Sequence, residues 1–130
     1  MNVAPAAVEH DFLRVPWGAV DGHARQAGYR ASCHDLAQAF GEPDNDLENV
    51  EDGDSVLFQW VFRNVQTGHN VCIHDHNATR ATDPKNKRLP TVEKFLELPW
   101  YEWTIAAKNQ EDALQFLVAL AQAVPGEIVR

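Results

Sequence analysis

One short segment of the chain carries three residues of types that bind zinc. Cys72, His74 and His76 alternate along a predicted β-strand, so their side chains are expected on one face. The row spans about 13 Å, which is too long for one ion to reach both ends. A zinc site would therefore pair His74 and His76 with a remote ligand such as His69 or His34. The alternative is a polar edge strand facing solvent, and we predict no cofactor.

An acidic segment follows the first predicted helix and holds seven carboxylates with no basic residue, namely Glu42, Asp44, Asp46, Glu48, Glu51, Asp52 and Asp54. Several alternate as in an EF-hand loop, but Asn49 stands where that loop needs glycine and Ser55 where it needs a bidentate glutamate. The segment therefore predicts a partner-binding surface rather than a calcium site. Its carboxylates would compete with nucleic-acid phosphates for Arg and Lys clusters, and the alternative is a merely solvated charge run.

Trp100 and Tyr101 form a second predicted partner-binding element. They follow Pro99, and exposed aromatic residues of this kind are enriched at interface hot spots. The alternative is that both rings belong to the core. We therefore expect either an aromatic anchor or a core contribution at this position.

The sequence holds no established catalytic motif. Cys33 and His34 lie where a helix N-terminus would lower the pKa of a thiol, but adjacent helix residues do not face each other. Nucleophile-elbow, P-loop, zinc-protease and dinucleotide-binding patterns do not occur. We therefore expect a protein that is not an enzyme.

Length and charge limit the classes of protein to consider. The chain has 130 residues, 45% of them apolar, and a net charge of −8 from 19 acidic and 11 basic residues. This is the size of one globular domain, and the negative charge disfavours direct binding of nucleic acid. Neither a signal peptide nor a membrane-spanning segment is recognisable, and the two cysteines form no metal-binding or redox pair. We therefore expect a cytoplasmic protein that does not bind membranes.

Secondary-structure signals are weak at the start of the chain and strong afterwards. Residues 1–30 read as an N-terminal arm packed on the domain, with one short strand at Phe12–Val15. A helix begins at Ser32, with Asp35 in a capping position, and ends at Gly41. The aromatic alternation that follows the acidic segment predicts a strand whose aromatic face meets the helices.

The second half predicts a hairpin, a strand and a closing helix. Residues 55–66 and 70–76 form the hairpin, and residues 77–90 a mobile basic loop. A short helical pattern precedes Pro99, and strict alternation follows from Tyr101 to Ile105. The last helix begins after Asn109, has acids in its first turn and stops at Pro125 and Gly126.

These elements predict an α+β fold. The expected architecture is a two-layer sandwich in which a three-stranded antiparallel β-meander carries two helices on one face, in the order α-β-β-β-α. Residues 1–30 would be the arm and residues 31–130 the single domain.

Three segments occur in a distinctive order: GYRASCHDLAQAFGEPDNDL, FQWVFRNVQTGHNVCIHDHN and LPWYEWTIAAKNQEDALQFLVAL. Together, over about residues 28–120, they resemble a family of small proteins of tailed phages and other viruses. The matching positions are Gly28, Tyr29, Phe40, Gly41, Glu42, Pro43, Trp60 and Trp103. The resemblance implies a phage origin, and it implies no mechanism because no activity is established for that family. A fold-level analogy with small outer-membrane assembly lipoproteins also exists, but this chain has no lipoprotein signal.

The chain departs from the family pattern in two places. Where the family commonly has Trp-His-Ile-Gly-Gly, residues 103–107 read Trp-Thr-Ile-Ala-Ala. Where it has Ile-Tyr-Asx-Tyr, residues 73–76 read Ile-His-Asp-His. Roles tied to that histidine or those tyrosines do not carry over.

Charge, the lack of catalytic motifs and the phage resemblance together predict an inhibitor. We expect a small acidic accessory protein that binds a bacterial host or defence protein, as anti-CRISPR proteins do, at a basic nucleic-acid-binding surface. Alternatives are a metal-binding protein that uses His74 and His76, and a structural or virion accessory protein.

Overall fold

The computed structural model describes residues 11–16, 24–45, 56–76, 78–81 and 83–129. Within them the strands are β1 (Phe12–Val15), β2 (Ala24–Ala31), β3 (Asp44–Asn45), β4 (Phe58–Asn64), β5 (Asn70–His74), β6 (Tyr101–Ala107) and β7 (Glu127–Val129), and the helices are α1 (Cys33–Phe40), α2 (Val92–Leu96) and α3 (Gln110–Ala123). The seven strands form one antiparallel sheet in the order β1-β4-β5-β6-β2-β7, and β3 pairs with β4 off this path.

The predicted three-stranded meander with two helices is therefore wrong. The part it described exists as β4, β5 and β6, which are neighbours in the sheet. Four further strands extend the sheet, and two of them, β1 and β2, lie in the segment assigned to an N-terminal arm. The strand predicted at Phe12–Val15 is confirmed. The long β2 escaped prediction because its sequence, ARQAGYRA, holds a single large apolar side chain and lacks the alternation of a half-buried strand.

The core lies between one face of the sheet and the three helices. Phe58, Trp60 and Phe62 of β4 point into it, as the sequence predicted, together with Trp103 and Ile105 of β6. The two indoles meet edge to face at 5.4 Å between ring centroids. The helices contribute Leu36, Phe40, Phe95, Ala113, Phe116, Leu117 and Leu120.

Helix ends follow the predicted caps. The Ser32 hydroxyl accepts a hydrogen bond from the Asp35 N–H at 2.9 Å, and Gly41 ends α1 with a φ of 84° that favours glycine. The Asn109 side chain accepts from the Asp112 N–H at 2.8 Å and starts α3. The longest of these helices has 14 residues, and none in the described part of the chain is long and apolar enough to cross a membrane.

The strand β7 extends the sheet beside β2. The Tyr29 hydroxyl donates a hydrogen bond to the Val124 carbonyl, which fixes the turn between α3 and β7. At Gly126 a Cβ would lie 2.3 Å from the Arg30 carbonyl oxygen, so this close approach of two backbones requires glycine. The closure of β7 onto β2 therefore depends on one residue without a side chain.

Candidate functional site

The opposite face of the sheet, here called the helix-free face, has no described helix packed on it. Val61, Cys72 and Ala106 form a small buried apolar cluster on this face. Beside the cluster lies an open cleft of about 700 Å³. Its lining residues come from β2, β6 and the end of β5, and they are Arg25, His74, His76, Trp100, Tyr101, Glu102, Thr104 and Ala106.

The register of three strands brings the lining side chains together. His74 of β5 pairs directly with Thr104 of β6, and Thr104 pairs on its other side with Gly28 of β2. Paired residues of an antiparallel sheet point to the same face, so these three positions form one row across the cleft. Ala106, two residues along β6, continues the same face into the apolar cluster.

A β-bulge in β2 turns Arg25 toward the cleft. The pairing with β6 shifts by one residue between Arg25 and Ala27, and Arg25 consequently pairs with Ala106. Because strand side chains alternate between faces, an unshifted register would place position 25 on the core face. The bulge therefore adds a guanidinium to the helix-free face.

Two arginines hold Glu102, the one carboxylate among the described residues that line the cleft. Arg25 donates hydrogen bonds to Thr104 Oγ1 at 3.0 Å and to Glu102 Oε2 at 3.3 Å. Arg30 Nε lies 3.4 Å from Glu102 Oε1. A Cβ at Gly28 would lie 2.9 Å from Arg25 Nη2 and 3.1 Å from Glu102 Cγ. Because Gly28 has no side chain, the ion pair between Arg25 and Glu102 can lie over β2 at this position.

His74 is held in one tautomer. Its Nδ1 contacts the Asp75 carbonyl oxygen, which can only accept, so Nδ1 carries the proton and Nε2 of the neutral ring is an acceptor. Burial lowers the pKa of His74, the hydrogen bond to Asp75 opposes that shift, and the positive charges of His76 and Arg25 lower the pKa further. His74 is therefore a neutral acceptor at physiological pH.

Aromatic residues form one wall of the cleft. Tyr101 is half-buried against Phe95 and Trp103, and its hydroxyl accepts from the His76 N–H at 3.2 Å. Trp100 is 56% exposed, and the Arg30 guanidinium carbon lies 5.4 Å from the centre of its ring. Of the two aromatic residues predicted to bind a partner, only Trp100 offers a largely free ring.

The residues considered as alternative zinc ligands separate into two environments. His74 and His76 line the cleft, whereas Cys72 is buried in the apolar cluster. The remote ligands considered lie elsewhere, because His69 Nδ1 is 2.9 Å from Asp112 Oδ2 and His34 is exposed on α1. In the described parts of the chain, no three His, Cys, Asp or Glu side chains form a group that could hold a metal ion.

Both thiols should resist alkylation in the native protein. Burial raises the pKa of Cys33 to about 11 and that of Cys72 to about 12. At pH 8, fewer than about one thiol in a hundred is then ionised, and only the thiolate reacts. Mass spectrometry after iodoacetamide treatment should find unmodified native protein and two modified cysteines in denatured protein. Rapid labelling of either native thiol would contradict this assignment.

The acidic segment is only partly described. Glu42 is exposed, and Asp44 lies in β3 with its Oδ1 3.4 Å from Arg14 Nη2. Arg14 also donates to the carbonyl oxygens of Phe40 and Glu42, so it ties the start of the segment to β1. The remaining predicted partner-binding acids, Asp46, Glu48, Glu51, Asp52 and Asp54, lie outside the described residues.

Sequence reasoning missed Arg25, Glu102 and Thr104 as parts of the site. The alternation of Tyr101–Ile105 implied that Glu102 and Thr104 share the outer face, and this signal was sufficient to place both of them there. Arg25 gave no such signal, because its orientation depends on a bulge. No protein-family model, curated protein or solved structure matches the chain, so the functional inference depends on this cleft and on the sequence.

Proposed function

We propose that the protein acts by binding another protein and that Trp100 anchors the contact. The observation that carries this proposal is the exposed indole itself, a large aromatic side chain 56% exposed beside an open cleft of about 700 Å³. Its contact with the Arg30 guanidinium restricts the ring before binding, which lowers the entropy lost on association. Tryptophan dominates interface energetics where such preorganised rings enter a partner's pocket.

Charge supports a basic partner. The net charge of −8 and the seven carboxylates between Glu42 and Asp54 would attract the Arg and Lys surface with which a protein binds nucleic acid. The resemblance to small proteins of tailed phages supports a bacterial host or defence protein as the target, met in the cytoplasm of the infected cell. An inhibitor that covers a nucleic-acid-binding surface needs no catalytic group, and binding alone accounts for its effect.

The proposal predicts a large effect of Trp100→Ala on binding. A tagged chain first captures its partner from the lysate of a bacterial host, and the purified pair is then measured by calorimetry. Losing one aromatic hot spot weakens binding by about thirtyfold. Val118→Ala is the matched control, because Val118 is 62% exposed on α3 in the other layer, and its replacement should change affinity less than about twofold.

Charge reversal tests the acidic segment in the same assay. Glu48 and Asp52 together changed to lysine should weaken binding by about tenfold and reduce its salt dependence. Changing Glu93 and Glu97, both exposed at α2, to lysine alters net charge equally and serves as the control. Asp44 is left intact because it contacts Arg14. Equal effects of both reversals, together with an inert Trp100→Ala, would refute the proposed interface.

A further inference from the structure

The cleft on the helix-free face combines the Arg25 guanidinium and two histidines with an aromatic wall in an otherwise acidic protein. Arg25, His74 and His76 line it, and Glu102 is the one carboxylate among its described lining residues. The geometry points to a binding site for a small ligand that carries a planar ring and an anionic group, either phosphate or carboxylate. This site is separate from the proposed protein interface in everything except Trp100.

The anionic end of the ligand would meet Arg25, with His76 beside it in the cleft lining. Glu102 lies 3.3 Å from Arg25 and 3.4 Å from Arg30, and Arg30 lies in turn 3.4 Å from Glu127, so the two carboxylates balance the two guanidinium groups. Arg25 donates one hydrogen bond to Thr104 and one to Glu102, and a guanidinium has five N–H groups, so further donors of Arg25 can meet an anion. An anion bound in the cleft would gain charge-assisted hydrogen bonds from the Arg25 guanidinium.

The position of Arg25 is built into the strand rather than left to a flexible surface. The bulge in β2 turns Arg25 to the helix-free face, and its hydrogen bond to Thr104 at 3.0 Å holds one end of the guanidinium. Gly28 provides the space beneath, because a Cβ there would lie 2.9 Å from Arg25 Nη2. A preorganised donor loses little entropy when a ligand binds.

The ring of the ligand would lie against the aromatic wall. Trp100 and Tyr101 line the cleft together with Ala106, and the volume of about 700 Å³ suits a molecule of nucleotide size. The neutral His74 presents Nε2 as an acceptor, so a donor group on the ligand ring is accommodated as well. The Arg25 end and the aromatic wall of the cleft therefore favour one ligand that carries both an anionic group and a planar ring.

Ligand fragments test the two halves separately. Backbone amide shifts of Gly28, His74 and Thr104 are followed by NMR while AMP is added up to about 5 mM. Adenosine lacks the anion and ribose 5-phosphate lacks the ring, and each should bind about tenfold or more weaker than AMP, the loss expected for one charge-assisted hydrogen bond or one stacked ring. Indole-3-acetate carries a planar ring and a carboxylate, and it tests whether the site also accepts a carboxylate ligand.

Variants assign the effect to named residues. Arg25→Gln and Trp100→Ala should each weaken the binding of the better probe by about tenfold or more. Lys94→Gln removes one exposed positive charge from α2 and should change affinity by less than about twofold. Gly28→Ala displaces the Arg25 guanidinium without removing it. The substitution should therefore weaken the binding of AMP but leave the binding of adenosine unchanged.

Three outcomes would overturn the site. The first is the absence of shifts at the cleft amides with AMP and with indole-3-acetate alike. The second is equal weakening by Arg25→Gln and Lys94→Gln, which would indicate general charge attraction. The third is equal affinity for AMP and ribose 5-phosphate, because the aromatic wall would then contribute nothing.

Discussion

Trp103→Ala is expected to lower the free energy of unfolding by about 4 to 5 kcal/mol. The indole is fully buried, packs on Trp60, Phe95 and Tyr101, and donates from Nε1 to the Ala31 carbonyl oxygen at 3.0 Å. Alanine would leave a cavity between the sheet and α2 and a buried carbonyl without its donor. Since single domains are stable by about 5 to 15 kcal/mol, the variant would be close to unfolding.

Chemical denaturation monitored by circular dichroism measures this loss. Trp103→Phe keeps an aromatic ring in the core but removes the N–H donor. Its free energy of unfolding should therefore fall by less than half as much as that of Trp103→Ala. Trp100→Ala removes the same residue type from an exposed position and should cost less than about 1 kcal/mol. A Trp103→Ala protein that unfolds within about 1 kcal/mol of the wild type would show that the two layers do not depend on this ring.

Asp75→Ala is expected to cost about 3 kcal/mol, because it removes the acceptor of two buried backbone donors. The N–H groups of Leu57 and Phe58 both donate to Asp75 Oδ1, at 2.8 and 2.9 Å. These bonds fix the start of β4 against the end of β5. Asp75→Asn keeps a carbonyl oxygen in this position, so it should retain more stability than alanine.

The same residue should make stability depend on pH. Burial raises the pKa of Asp75 above its usual 3.8, although the backbone hydrogen bonds oppose the shift, and Oδ2 is buried without a hydrogen-bond partner among the described residues. Between the unfolded and the raised folded pKa the native state binds more protons than the unfolded state. The Asp75 contribution is therefore fully present below the unfolded pKa and is lost as pH rises through the folded pKa.

Stability measured from pH 3 upward should show this contribution as a difference. The wild type should lose stability relative to Asp75→Asn as pH rises through that window, since asparagine does not titrate there. The remaining carboxylates are common to both proteins and cancel in the comparison. A difference that stays constant with pH would mean that Asp75 keeps its usual pKa in the folded protein.

Local signals in the sequence were sufficient for the helices and the central strands. Ser32 and Asn109 cap α1 and α3 where side-chain chemistry requires, and aromatic alternation marked β4 and β6. The strand β2 could not be predicted in this way. Its core-facing residues are mostly alanine, and its outward face holds Gly28 and Arg30, so neither face shows a continuous apolar pattern.

The candidate site was predictable where it follows strand alternation and not where it depends on pairing. Alternation placed His74 outward, whereas the exposure of Trp100 was one of two alternatives that the sequence left open. The meeting of Arg25 with Thr104 joins residues 79 positions apart and requires both the pairing of β2 with β6 and a one-residue bulge. No local pattern contains that information.

The direct pairing of His74 with Thr104 has a consequence for how this cleft can vary during evolution. Both positions point to the same space, so an imidazole supplied from either strand reaches it. The double exchange His74→Thr with Thr104→His would therefore present the same ring from the opposite strand.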